Sequence, residues 1–133
     1  IKKKKNFYKT NGNKMELNIL LWANISMLIL HEMDAIYRKE WMMLYPVNRL
    51  EENTAHVLFT GMHFFLFMAI FIMMHNYFIY LFWGMNIFGI LHLAIHLLFT
   101  KHRNNNMNNI FSLVIIFLMA LISFISAACY YLV

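Results

Sequence analysis

Four histidines and two acids stand in or beside the apolar runs of the sequence, where ionisable side chains are rare. His92 and His96 are four residues apart, so on a helix both rings project from one face and can bind one metal ion together. His31 or His63 would complete a set of three imidazole nitrogens, and Asp34 would supply an oxygen ligand or orient a histidine. Imidazole with carboxylate suits zinc or non-haem iron, and the spacing does not separate these two metals.

The same histidines fit two interpretations without such a metal site. A b-type haem needs two axial histidines that face each other from different spans, for example His63 with His92 or His96. Neutral histidines also form hydrogen bonds between membrane helices with no cofactor present. The residue types alone therefore leave a metal ion, a haem and a purely structural role open.

Two acids close to His31 are candidates for a catalytic role in proton transfer. Glu32 follows His31 directly and is a candidate general base, and Asp34 is the second candidate. Asp34 also lies four residues before Arg38, a spacing typical of an ion pair on a helix. The stretch begins like the zinc-protease signature His-Glu-x-x-His, but Ala35 stands where the second histidine would be, so that class is excluded.

The elements that must position these residues follow from the composition, since 62% of the 133 residues are hydrophobic. A soluble domain of this length needs less apolar sequence. Four continuous runs are long enough to cross a bilayer and show no period-2 alternation, which excludes a β-barrel. They predict an all-α, integral membrane four-helix antiparallel bundle over residues 15–133, with spans at about residues 17–36, 55–74, 78–99 and 110–132.

Alternating span directions bring the candidate residues to one membrane face. The end of the first span, the start of the second and the end of the third share that face. At 1.5 Å per helical residue, four histidines lie about 5–12 Å inside it: His31, His63, His92 and His96. We expect the first helix to continue to about Leu44, because no helix breaker precedes Pro46. The asparagine-rich stretch 104–109 is expected to be a solvated loop.

Residues 1–14 form a basic tail that we expect to be flexible and to be attracted to anionic lipid headgroups. Six of the eleven Lys and Arg residues lie in this tail, so the positive-inside rule places both termini in the cytoplasm. The preference reverses if the native chain starts at Met15. The tail has no aromatic-rich groove around it, so nucleic acid is not an expected partner.

Several motifs follow one another in a fixed order along the chain: His31-Glu32-Met33-Asp34-Ala35, then Glu40-Trp41, then His63, and then His92-Leu93-Ala94-Ile95-His96-Leu97-Leu98. In this order the chain resembles a family of small bacterial four-span membrane proteins of unknown function. The resemblance covers about residues 17–130 and implies no established activity.

These observations predict a multi-pass protein of the bacterial inner membrane with a His/carboxylate site near one surface. Three functions fit it. The first is a metal-dependent membrane enzyme, either a zinc hydrolase or an iron oxidase. The second is a haem electron carrier, and the third is a non-catalytic subunit that packs against a larger membrane partner or a second copy.

Overall fold

The computed structural model describes the backbone of residues 2–132 and the side chains of residues 16–132. Four helices carry the fold: α1 (Lys2–Tyr37), α2 (Glu52–Asn76), α3 (Phe78–Leu98) and α4 (Ile110–Leu132). Short 3₁₀ turns occupy Glu40–Met43, Val47–Arg49 and Phe99–Lys101, and residues 2–132 contain no strand. The predicted all-α four-helix bundle is confirmed. The flexibility expected of residues 1–14 stays a prediction, because their side chains lie outside the described residues.

Four helical segments are long and apolar enough to cross a membrane, and the third of them includes the 3₁₀ turn that follows α3: Glu16–Tyr37, Glu52–Asn76, Phe78–Lys101 and Ile110–Leu132. These segments agree with the predicted spans to within a few residues. Large apolar side chains such as Phe65 and Leu98 are exposed on the outside of the bundle. A surface of this kind suits hydrocarbon and not water, so the chain is a multi-pass membrane protein by length and composition of its helices.

The helix α4 packs most extensively against α1 and α3, whereas α2 lies at the periphery and is the least buried of the four. An apolar cluster joins the helices on the side of the bundle away from the candidate site: Leu21, Ile25, Leu28, Ile70, Leu81, Phe82, Met85 and Met119. Lipid is as apolar as this core, so burial of hydrocarbon alone does not hold membrane helices together.

A close backbone approach and buried hydrogen bonds determine how the helices pack against one another. The Asn24 amide of α1 donates to Asn86 of α3 at 3.2 Å and to the Ser123 hydroxyl of α4 at 2.9 Å. Gly89 faces Ser123 so closely that a Cβ at position 89 would lie 2.2 Å from the Ser123 Oγ atom. The middle of the bundle is therefore fixed by a small-residue contact between α3 and α4 and by a polar contact of three helices.

The end of α1 differs from the prediction. The helix ends at Tyr37 and not near Leu44, because Lys39 adopts a left-handed conformation with φ 59° and ψ 47° and the chain turns there. The asparagine-rich loop supports this turn, since the Asn106 amide donates to the Arg38 carbonyl at 3.3 Å. The expectation of a merely solvated loop is therefore wrong. The turn buries Trp41, which is 2% exposed, against the bundle.

Candidate metal centre

Four side chains from three places in the chain meet inside one end of the bundle. His31 comes from α1, His92 and His96 come from α3, and Glu40 comes from the turn that follows α1. One nitrogen or carboxylate oxygen of each lies within 4.8 Å of the corresponding atoms of the others. His31 is 1% exposed and His96 is 5% exposed, so these rings face protein and not lipid.

The separations between these atoms fit a single ion at the centre of the group. The His92 Nε2 atom lies 2.7 Å from the His31 Nε2 atom and 3.1 Å from the His96 Nε2 atom. The Glu40 carboxylate lies 3.7 Å from the His31 Nε2 atom and 3.6 Å from the His96 Nε2 atom. Ligands about 2.0–2.2 Å from a tetrahedral zinc ion are about 3.3–3.6 Å apart. The two distances to Glu40 lie at the upper end of that range, whereas the two Nε2–Nε2 distances are shorter, so the rings would move apart by about 0.2–0.6 Å around an ion.

Hydrogen bonding alone does not satisfy the three rings. A neutral imidazole carries either one hydrogen or one lone pair on its Nε2 atom. Because the His92 Nε2 atom contacts both His31 and His96, one hydrogen or one lone pair must serve two partners. A cation at the centre would instead accept one lone pair from each ring, so the donor set of this cluster suits a metal ion.

The electrostatic environment of Glu40 points the same way. Burial, and after it the nearby Glu32 carboxylate, raises the pKa of Glu40 to about 7. An isolated carboxylate is costly in such a place, and a cation within a few ångströms offsets that cost. The ion-pair contacts that the structure gives for Glu40 are with the imidazoles of His31 and His96.

A second polar pair, Glu32 with His63, links α1 to α2 beside this cluster. The His63 Nδ1 atom lies 2.6 Å from the Phe59 carbonyl oxygen, which can only accept, so Nδ1 carries a hydrogen. The His63 Nε2 atom lies 2.6 Å from the Glu32 Oε2 atom. One further proton must therefore lie between Glu32 and His63. The structure places both residues outside the four-residue cluster.

Asp34 connects α1 to α4 and also lies outside the cluster. The Ser112 hydroxyl donates to its carboxylate, and the Arg38 Nε atom lies 3.4 Å from its other oxygen. Asn109 caps the start of α4, because its side-chain oxygen accepts from the Ser112 backbone N–H at 3.1 Å. These contacts give Asp34 a structural setting at the point where α4 begins.

The structure thus brings together three of the four histidines predicted as ligands, His31, His92 and His96. His63 is paired with Glu32 instead, and the fourth member of the cluster is Glu40, which was not predicted as a ligand. On a continuous helix, residue 40 would lie nine positions after residue 31 and so on the opposite side. The pair Glu40-Trp41 in the motif order was the available signal for this residue.

A small cavity adjoins the cluster. Its volume is about 30 Å³, and Glu40 and His96 form its polar wall. A cavity of this measure is large enough for one water molecule. The cluster therefore has room beside it for one small additional ligand.

The fold and the cluster together define a multi-pass four-helix protein with a buried histidine–glutamate group. Residues 17–132 match the model of a family of unknown function, DUF6713, and the chain belongs to that family. No curated protein and no solved structure matches the chain. Membership in a family of unknown function, as the motif order predicted, is confirmed, while the bacterial origin stays a prediction.

Proposed function

We propose that this protein is a membrane metalloprotein whose metal ion is bound by His31, Glu40, His92 and His96. The observation that carries the proposal is the convergence of three Nε2 atoms and one carboxylate within 4.8 Å. Three imidazole nitrogens with one carboxylate oxygen suit zinc and non-haem iron equally. The predicted ligands His63 and Asp34 have other partners in this arrangement, so they are not part of the proposed set.

An enzymatic role is supported by the cavity beside Glu40 and His96. Catalytic metal sites offer a position for water or substrate, which beside four protein ligands would be a fifth position on the metal. A metal ion here would polarise a bound oxygen atom or lower the pKa of a bound water molecule. We therefore favour a metal-dependent membrane enzyme over a structural subunit.

The two acids proposed for catalysis differ in their suitability. Glu32 shares a proton with His63 and is one residue away from the proposed ligand His31. It stays the candidate for proton transfer. The carboxylate of Asp34 contacts Ser112 and Arg38. These contacts support a structural role for Asp34 as the partner of Arg38 in an ion pair.

The haem hypothesis finds less support in the geometry. Two axial histidine nitrogens lie on opposite sides of the haem iron. With metal–nitrogen bonds of about 2.0 Å, these two nitrogens are about 4 Å apart. The Nε2 atoms of His31 and His96 lie 2.7 and 3.1 Å from that of His92. The remaining histidine of the haem proposal, His63, has both ring nitrogens engaged.

We also propose that the protein lies in the bacterial inner membrane with both termini in the cytoplasm, which would put the metal centre near the outer face. The six basic residues of the tail support this orientation. A cysteine introduced as Asn105→Cys, with Cys129→Ala in the same chain, should react with an impermeant maleimide in intact cells. Labelling only after lysis would contradict the orientation.

The metal centre is tested by cobalt titration of the purified protein in detergent. Cobalt(II) in a four-coordinate nitrogen and oxygen site gives visible d–d absorption, which should saturate at one equivalent. His92→Ala, His96→Ala and Glu40→Ala should weaken binding by at least about tenfold. His75→Ala and His102→Ala are the matched controls, because neither belongs to the cluster. Equal binding by all five variants would refute the assignment.

A further inference from the structure

The cavity beside the metal centre has one polar end and otherwise apolar walls. Glu40 and His96 form the polar end, and the remaining lining residues are Met43, Leu44, Ile95 and Phe99. Its volume of about 30 Å³ admits a group of water-molecule size and no more. A ligand that reaches the metal through this cavity therefore has a small polar group at its leading end.

Two of the apolar residues that line the cavity lie on the outside of the bundle, whereas Met43 is buried. Leu44 is 41% exposed and Ile95 is 49% exposed. Ile95 lies six residues before the end of the span Phe78–Lys101, so it is about 9 Å inside the membrane boundary. An exposed isoleucine within a membrane-crossing segment suits contact with hydrocarbon. The cavity thus connects the metal ligands Glu40 and His96 with the lipid side of the protein.

We propose that the metal centre takes its substrate from the bilayer, as an aliphatic molecule with a small polar end such as an alcohol or an aldehyde. The inference rests on the proposed metal centre. The polar end of this substrate enters between Glu40 and His96 and binds the metal. Its aliphatic part stays in the lipid against Ile95 and Leu44. A substrate dissolved only in water would have to cross this apolar wall, which is costly for a polar molecule.

The test uses the cobalt-loaded full chain in lipid nanodiscs and two thiols as probes. Octanethiol partitions into the bilayer, and 2-mercaptoethanesulfonate stays in water. Binding of either to the metal gives a thiolate-to-cobalt charge-transfer band in the near ultraviolet. Octanethiol should produce this band, and the water-soluble thiol should need at least about tenfold higher concentration. Equal response to both thiols would overturn the proposal.

A pair of variants locates the entrance. Ile95→Trp fills the apolar mouth and should weaken octanethiol binding by at least about tenfold. Leu91→Trp, one helical turn away and 56% exposed, does not line the cavity and should bind as the unmodified chain does. Equal octanethiol affinity in both variants would overturn the proposed entry of the ligand past Ile95. Absence of cobalt d–d absorption before any thiol is added would instead refute the metal centre itself, and the two failures are thereby distinguished.

Discussion

Replacement of Gly89 by alanine tests how the middle of the bundle positions the metal centre. A Cβ at this position would lie 2.2 Å from the Ser123 Oγ atom, 3.3 Å from the Ser123 Cβ atom and 3.3 Å from the Met119 carbonyl oxygen. Rotation of the hydroxyl would relieve only the first contact and would break its bond with Asn24. The other two contacts involve the body of α4, so α3 and α4 must move apart by a few tenths of an ångström.

The expected loss of stability in Gly89→Ala follows from those contacts. Overpacking of this kind destabilises by about 1–3 kcal/mol, against a gain of about 0.5–1 kcal/mol from the better helix propensity of alanine. We therefore expect Gly89→Ala to lower the free energy of unfolding by about 1–2 kcal/mol. His92 is three residues away on the same helix, so the displacement of α3 should also weaken cobalt binding severalfold.

The assay is unfolding in mixed micelles of a mild detergent and dodecyl sulfate, followed by tryptophan fluorescence, together with cobalt titration. Gly84→Ala and Gly61→Ala are the matched controls, because a Cβ at either position meets no atom within 4 Å. Both should be neutral or slightly stabilising. The combination of Gly89→Ala with Ser123→Ala should recover part of the loss. A Gly89→Ala variant as stable as Gly84→Ala would refute the close-contact reasoning.

Three further variants probe the surroundings of the cluster by the same two measurements. His63→Ala leaves the buried Glu32 carboxylate without its partner and should cost about 3–5 kcal/mol of stability, yet cobalt stoichiometry should stay at one; loss of the metal would restore His63 to the ligand set. Asp34→Ala removes the acceptor of the Ser112 hydroxyl and should cost about 1–3 kcal/mol, again with metal retained. Lys39→Gly relieves the left-handed backbone and should raise stability by about 1 kcal/mol, whereas a loss would show that the turn depends on the lysine itself.

The fold was predictable because each span is a long, uninterrupted apolar run. The helical segments long and apolar enough to cross a membrane have the length that the hydrocarbon thickness requires. The common depth of His31, His92 and His96 followed from the alternation of span direction. Depth is a property of position along the helix axis, which the sequence encodes directly.

The sequence did not reveal which way each side chain points around its helix axis. It also did not reveal that α1 ends at Tyr37. Glu40 reaches the cluster only because Lys39 takes a left-handed conformation, and neither a glycine nor a proline marks that residue. The turn is stabilised by tertiary contacts, including the burial of Trp41 and the hydrogen bond from Asn106. His63 lies at the predicted depth, but its ring bonds to Glu32. Sequence spacing alone does not show which of several nearby groups a side chain contacts.

The most direct test of the central claim is the metal content of the protein purified from its native membrane without added metal. Elemental analysis should find close to one zinc or iron atom per chain. The double variant His92→Ala/His96→Ala, purified in the same way and shown to be folded, should contain almost none. An unmodified chain without stoichiometric metal, or a double variant that retains it, would contradict the account.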